Sequence, residues 1–264
     1  MVIRKIFYLN SHLFRGTLPA FFYRKLQYND NDRCNRICDY ILSENYDILL
    51  LSEIWSSSMK LKIMMKLIHA YPYHYIPPRN CKWYKVGPEQ IILSKEIIEE
   101  CRYENLNNLS SWDQFSVKKI CSCVSGNYFI CTTHFDTGYT SENLDQLREY
   151  ITKYSGERKV ILCGDLNIAE SNDNTTLTGA YNNMTNVFDI IGMRDSFRIL
   201  NTSITNFPYY TVNEETNTVA NYFSNGGTNK TRLDYFFTRG IIPTGGEVII
   251  LPLSDHYGIS LTIQ

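Results

Sequence analysis

Six segments of the sequence share one pattern, in which an apolar run of strand type ends in side chains that can bind a cation or move a proton. The polar ends are Asn10, Glu53, His134 with Asp136, Asp165 with Asn167, Asp234, and Asp255 with His256. A single acid after a strand is more often a turn residue or a helix cap, but six such ends in one chain are harder to explain as accidents. Because a rigid sheet fixes the groups at its strand ends, we expect these side chains to meet in one pocket.

Asp234 is the acid whose position is hardest to explain as a solvated turn. It lies between Leu233 and Tyr235 in an otherwise apolar strand, where an unpaired carboxylate would cost several kcal/mol. The sequence therefore predicts a partner for Asp234, and a histidine would serve.

The side-chain atoms that could bind a metal ion favour a magnesium site. Asn10, Glu53 and Asp255 offer hard oxygen ligands, which suit Mg²⁺, with Mn²⁺ as a substitute. The five histidines show no paired spacing such as His-Glu-x-x-His, which argues against zinc. No Gly-x-Ser-x-Gly elbow, Walker loop or Gly-x-Gly-x-x-Gly turn occurs, so serine hydrolases and nucleotide-cradling folds are disfavoured.

Apolar periodicity predicts the elements that position these groups. Helices are expected at 30–44, after serines 56–58, and after Thr140 or Ser141. Strands are expected in the first 16 residues, from residue 47, and near 90–94, 115–124, 127–133, 160–163, 232–238, 247–251 and 257–263. The Asn- and Thr-rich segment 171–231 predicts long loops, with a short helical piece near 187–191. The alternation of helices and strands indicates a mixed α/β sandwich in a single domain over 1–264.

Composition limits the class of protein. The chain has 264 residues, 26 Lys+Arg against 27 Asp+Glu and no basic run, which weakens a nuclease interpretation without excluding it. No apolar stretch approaches the length of a membrane span and the N-terminus does not fit a signal peptide, so we expect a soluble, cytoplasmic monomer. The scattered cysteines are expected to be reduced, buried thiols.

The motifs YDILLLSEIW, THFD, VILCGDLN, RLDYFF and LSDH, in this order, resemble the endonuclease/exonuclease/phosphatase superfamily, which has the fold of pancreatic DNase. The likeness extends from Asn10 to the C-terminus. Within the superfamily the chain is most similar to the neutral sphingomyelinases, through Glu53-Ile54-Trp55, the CGDLN strand, Arg194-Asp195 and the PLSDH ending. The resemblance implies a four-layer α/β sandwich, with two packed mixed β-sheets flanked by helices, and a metal-dependent hydrolase of phosphoric esters.

The resemblance also implies a role for each matching residue. Glu53 would be the main Mg²⁺ ligand, supported by Asn10 and Asp255. Asp165 would orient or deprotonate the attacking water, and Asn167 would hold the water or a phosphate oxygen. The remaining three act around the phosphate: His256 as donor or acid/base, Asp234 as the partner that fixes its tautomer, and His134 as a stabiliser of charge in the transition state. His12 and His69 are expected on packed elements, with no role.

The substrate stays open between a phospholipid, a nucleic acid and an inositol polyphosphate. RLDYFF is equally similar to the abasic-site endonucleases, and Phe135-Asp136-Thr137 is closer to branches other than the sphingomyelinases. The loop 202–231 carries aromatic residues that could stack on bases or dip into a lipid interface, so peripheral membrane contact is one expectation. The loop 73–85 interleaves basic and aromatic residues in a way that suits a phosphodiester, and in both loops packing against the body of the protein is the alternative. A non-catalytic binding module on the same fold is the alternative from another class.

Overall fold

The structure is a computed structural model of the chain, and it describes residues 4–15, 24–78, 89–107, 118–138, 140–171, 176–201 and 209–264. Some predictions fall outside these residues: Cys81, Phe207, residues 79–85 of the first candidate loop, and the start of the strand expected at 115–124.

The strands are β1 (Arg4–Leu13), β2 (Ile48–Ile54), β3 (Tyr73–Tyr75), β4 (Glu89–Ser94), β5 (Glu99–Asn105), β6 (Lys119–Ser125), β7 (Tyr128–His134), β8 (Lys159–Asp165), β9 (Arg194–Asp195), β10 (Val212–Asn213), β11 (Lys230–Thr231), β12 (Asp234–Arg239), β13 (Pro243–Ile249) and β14 (Gly258–Ile263). The helices are α1 (Asp30–Glu44), α2 (Ser57–Leu67), α3 (Ser141–Ser155), α4 (Gly179–Asp189), α5 (Ser196–Leu200) and α6 (Thr218–Ser224). A 3-10 turn covers Arg24–Gln27.

The described strands form two six-stranded sheets, apart from β10 and β11, which pair with each other in a separate two-stranded sheet. The first sheet has the order β13-β14-β1-β2-β4-β3, and the second has the order β5-β6-β7-β8-β12-β9. Each sheet is mixed, because β1–β2 and β7–β8 are parallel while their other neighbours pair antiparallel.

Three apolar clusters stack these elements into four layers. Alternate residues of both sheets fill the space between the sheets, and the members of this cluster include Ile6, Tyr8, Leu50, Ile130, Ile161 and Phe236. The opposite face of the first sheet packs on α1 and α2, and the opposite face of the second sheet packs on α3 and α4. The four-layer sandwich is thus the expected fold.

Most expected elements are present, and their caps explain where the helices begin. Ser56 caps α2 through its hydroxyl, which accepts a hydrogen bond from Met59 N at 3.2 Å. Thr140 precedes α3, and its N–H donates to the side chain of Asn143 at 3.0 Å. Of the cysteines that the structure describes, all are free and Cys101 alone is exposed.

The expectation of long loops over 171–231 was wrong for much of that segment. It contains α4, α5, α6 and the antiparallel pair β10–β11, and the helix placed near 187–191 instead covers Gly179–Asp189. The buried residues of α4 are Tyr181, Met184 and Phe188, which recur at helical spacing. The Asn and Thr residues that separate these apolar positions also favour turns, so the sequence pattern did not indicate a helix here.

Candidate active site

The second sheet brings three of the expected residues side by side. His134 is opposite Asp165 in the parallel pair β7–β8, and Asp165 is opposite Asp234 in the antiparallel pair β8–β12. The two parallel strands come this close because residue 164 is Gly164, where a Cβ would collide with the carbonyl oxygen of Thr133. The glycine of the CGDLN motif therefore sets the spacing of the site.

The first sheet contributes Asn10 and Glu53 from its parallel pair β1–β2. The register of this pair shifts between Asn10 and Leu13, as at a β-bulge. His12 and Glu53 have left-handed backbones, with φ of 45° and 56°. Such conformations cost roughly 1–3 kcal/mol each and concentrate at functional sites. The irregular strand ends thus redirect side chains that a regular strand would point elsewhere.

Asp255 and His256 lie in the segment between β13 and β14, which Thr211 fastens to the second sheet. Thr211 O accepts a hydrogen bond from Tyr257 N at 2.7 Å. Its hydroxyl oxygen accepts a hydrogen bond from Asp234 N at 3.2 Å. One residue therefore connects the Asp255–His256 segment to the start of β12.

Asp165 is the central carboxylate of the site. Its Oδ2 accepts from Asn10 Nδ2 at 3.0 Å, and its Oδ1 accepts from Asn167 N at 2.9 Å. Its own N–H donates to the hydroxyl of Tyr8 at 2.8 Å. Burial, and then the charge of Asp234, raise the pKa of Asp165 to about 7. This carboxyl can therefore take up and release a proton near neutral pH.

Asn167 and Asp136 stabilise the loops beside Asp165. Asn167 Nδ2 donates to Phe135 O at 2.8 Å, from a left-handed backbone with φ of 52°. The buried carboxylate of Asp136 accepts from Gly138 N at 2.9 Å, which is a turn contact. Asn167 thus lies against the central carboxylate, whereas this contact of Asp136 is structural.

Asp234 has the histidine partner that its position required. His256 Nδ1 lies 2.8 Å from Asp234 Oδ2, and His256 Nε2 lies 3.8 Å from Asp165 Oδ2. Burial alone would lower the pKa of His256, but the carboxylates of Asp234 and Asp165 raise it well above its ordinary value. The pair therefore orients the imidazole, with Nε2 directed towards Asp165.

The oxygens on the first sheet fit a divalent cation. Asn10 Oδ1 is buried with no hydrogen-bond partner among the described residues, while the same side chain's Nδ2 binds Asp165. Burial alone would raise the pKa of Glu53, but the contact with His12 holds it below its ordinary value. A charged carboxylate beside an unsatisfied amide oxygen is the donor set that Mg²⁺ takes.

Ligand atoms of Asp165, Asp234 and His256 also lie within 4.8 Å of one another, as a metal site would require. The hydrogen bond between His256 Nδ1 and Asp234 already occupies two of these groups. We therefore interpret this trio as a group that handles protons, and Asn10 and Glu53 as the cation site.

Lys118 is a site residue that the sequence analysis missed. Its Nζ lies 3.1 Å from His134 Nε2 and donates to Phe135 O at 2.6 Å, although the residue is buried. Burial, and then the charge of Lys118, lower the pKa of His134 to about 3, so this imidazole is neutral. No motif in the sequence marks it, because the register that pairs Ile120 with Thr133, and so carries residue 118 to the end of β7, is seen only in the structure.

His12 was expected on a packed element with no role, and the structure places it against two of the expected metal ligands. Its Nδ1 lies 3.2 Å from Glu53 Oε2 and 3.3 Å from Asp255 Oδ2. Burial alone would lower the pKa of His12, but Asp255 and Glu53 raise it. The position between these carboxylates therefore favours positive charge. The register shift and the left-handed backbone that bring His12 to this position leave no trace in a periodic strand pattern, so the sequence analysis missed it.

Tyr8 also contributes from the strand that carries Asn10. Its hydroxyl is within 2.7 Å of Ser52 Oγ on the first sheet and accepts the N–H of Asp165 on the second. The phenol therefore connects the two sheets directly beneath the site.

A cavity of about 260 Å³ opens beside these groups. Its lining includes Glu214 and Phe223 together with Asp255 and His256. The ring of Phe223 lies 4.4 Å from that of His12. The cavity is therefore acidic and aromatic where it meets the site.

A four-layer sandwich that gathers acids, amides and histidines at its sheet ends defines a class, the hydrolases of phosphoric esters. The model of the Endonuclease/Exonuclease/phosphatase family matches residues 27–256, and the chain belongs to this family. Members of the family use a divalent metal ion. No curated protein matches the sequence significantly.

Solved structures confirm the fold. A double mutant of beta toxin from Staphylococcus aureus, with bound magnesium ions, is 16% identical with a TM-score of 0.77, over 98% of this chain and 99% of that one. Sphingomyelinase C from Streptomyces griseocarneus is 17% identical with a TM-score of 0.74, over 100% of both chains. TDP2 from D. rerio, complexed with a single-strand DNA product, is 18% identical with a TM-score of 0.68, over 100% of both.

In the part of the chain that the structure describes, no helix is both long and apolar enough to cross a bilayer.

Proposed function

We propose that the chain is a Mg²⁺-dependent phosphodiesterase, with Mn²⁺ as a substitute, that cleaves a phospholipid headgroup such as that of sphingomyelin. The observation that carries the proposal is that an acid–histidine pair and a candidate cation ligand lie at one pocket. His256 Nε2 lies 3.8 Å from Asp165 Oδ2, and the orphaned oxygen of Asn10 lies on the side chain that also binds Asp165.

The residues divide the chemistry of hydrolysis between them. Asp165, with a pKa near neutral, accepts the proton of the attacking water, and Asn167 positions that water or a phosphate oxygen. His256, oriented by Asp234, donates towards the phosphate or the leaving oxygen. A divalent cation held by Asn10, Glu53 and Asp255 would withdraw charge from the non-bridging oxygens.

Lys118 provides positive potential where charge accumulates, next to the neutral imidazole of His134. The ammonium lies 3.1 Å from the imidazole Nε2, which itself lies 3.5 Å from Glu53 Oε1 and 3.7 Å from Asp165 Oδ2. Donors fixed in a buried pocket stabilise developing charge without reorganising. We propose that both groups contact the phosphate.

The cavity supports a phospholipid with a cationic headgroup. Glu214 and Phe223 suit a quaternary ammonium through charge and cation–π attraction, whereas nucleic acids are held mainly by lysines and arginines on their phosphates. The free cysteines fit a reducing compartment such as the cytoplasm. A lipid substrate would require peripheral contact with a membrane.

A nuclease or DNA-repair phosphodiesterase is the second candidate. The likeness to TDP2 with its DNA product favours it, as does the His-Phe-Asp order at the end of β7. An inositol polyphosphate is the third substrate to compare.

A substrate panel tests the proposal: sphingomyelin micelles, abasic duplex DNA and an inositol polyphosphate, each with Mg²⁺ and with EDTA. We expect cleavage of sphingomyelin, its loss in EDTA, and a fall in kcat of roughly 10²- to 10⁴-fold in His256→Ala. Glu53→Gln should lose metal binding, while Glu149→Gln, an exposed acid, is the matched control. Cleavage of the DNA alone would refute the lipid substrate, and cleavage of none would refute the activity.

A further inference from the structure

His12 has a geometry that a packed histidine does not need. One nitrogen, Nδ1, faces two carboxylate oxygens, Glu53 Oε2 at 3.2 Å and Asp255 Oδ2 at 3.3 Å. Two ligands at right angles on one ion, each about 2.1 Å from it, lie about 3 Å apart. The separations of Nδ1 from both oxygens are therefore those of neighbouring ligands.

The backbone of His12 is held in this unusual position by a buried ion pair. Arg33 donates to His12 O at 2.5 Å and to Ser11 O at 3.1 Å, and the same guanidinium is bound to Asp30 at 2.6 Å. A left-handed residue persists only where its surroundings enforce it. The fold thus supports a strained conformation that presents Nδ1 to the acids.

The ring is also fixed from its sides. Its centroid lies 4.8 Å from that of Phe14 and 4.4 Å from that of Phe223. Aromatic neighbours limit rotation of the imidazole, as a preorganised ligand requires.

We propose that the neutral imidazole of His12 is, through Nδ1, a ligand of the divalent cation that Asn10, Glu53 and Asp255 hold, an inference that rests on the proposed function. The bound cation would take the place of the proton that the two carboxylates otherwise favour on this ring. The resulting set mixes one imidazole nitrogen with oxygens. Imidazole binds Mn²⁺ and Co²⁺ better than Mg²⁺, so the chain should prefer those ions more than an all-oxygen site would.

The test uses the full chain, freed of metal by EDTA and loaded with Mn²⁺. Electron spin-echo spectroscopy detects a nitrogen bonded directly to Mn²⁺, and calorimetry gives the affinities for Mn²⁺, Co²⁺ and Mg²⁺. His12→Asn removes the imidazole with a residue that tolerates a left-handed backbone. The control is His69→Asn, which changes an exposed histidine.

We expect the nitrogen signal in the wild type and in His69→Asn, and its loss in His12→Asn. The affinity of His12→Asn for Mn²⁺ and Co²⁺ should fall roughly 10- to 100-fold, with a smaller fall for Mg²⁺. Wild-type Mn²⁺ binding without a nitrogen signal, or a signal that persists in His12→Asn, would overturn the proposal and leave the metal site intact. No binding of any of the three ions would overturn the proposed function as well.

Discussion

Replacing Asp165 with asparagine should make the metal-free protein more stable at alkaline pH, relative to the wild type, while abolishing its activity. The folded pKa of Asp165, about 7, lies above the ordinary value of 3.8. The native state therefore binds more protons than the unfolded state between these values. The stability that this group contributes is complete below the unfolded pKa and is lost as pH rises towards the folded pKa.

The size of this change in stability follows from the folded and unfolded pKa values of Asp165. Integrated from pH 5 to pH 8, the native state loses about 3 kcal/mol through this group, at about 1.4 kcal/mol per pKa unit. Asp165→Asn has no such titration. Asparagine keeps one acceptor oxygen where the carboxylate used two, against Asn10 and Asn167, which costs about 1–3 kcal/mol at every pH.

Urea unfolding at intervals from pH 5 to pH 8, in EDTA, measures the difference. The free energy of unfolding of Asp165→Asn, relative to the wild type, should improve by about 3 kcal/mol across this range. Asp189→Asn removes an exposed carboxylate and should show no comparable trend. A relative stability of Asp165→Asn that stays constant with pH would show that burial and Asp234 do not perturb this carboxyl.

Three further substitutions test contacts within the site. Asp234→Asn should lower the pKa of His256 and reduce kcat roughly 10²- to 10⁴-fold; a pH–rate profile whose alkaline limb does not move to lower pH would contradict this. Lys118→Met should raise the pKa of His134, because the nearby positive charge is gone; NMR titration of the imidazole measures it, and an unchanged pKa would exclude the contact. Tyr8→Phe should cost about 1–3 kcal/mol of unfolding free energy, because it leaves a buried N–H of β8 unpaired; urea unfolding with no loss of stability would contradict the hydrogen bond.

The fold could be predicted because apolar periodicity and ordered motifs carry it. Asp30–Glu44 is a helix with the bounds that the sequence indicated, and the histidine required by Asp234 is present. β5 was not predicted, because its residues are mostly exposed and show no apolar alternation. β13 begins earlier than expected, since Gly245 and Gly246 resemble a turn in sequence yet pair with β14.

Site residues without a motif were harder to find. Lys118 contacts His134 only through the hairpin register, which the sequence does not fix to one residue. His12 depends on a bulge and a left-handed backbone, and a periodic strand pattern contains no sign of either.

The candidate site is divided between the sheets: Asn10 and Glu53 come from the first, and His134, Asp165 and Asp234 from the second. Neither half is complete until the interior between them has closed around Tyr8. Catalysis in this protein would consequently depend on the two sheets staying packed together. Under mild denaturation, activity should be lost before the circular dichroism of the helices changes.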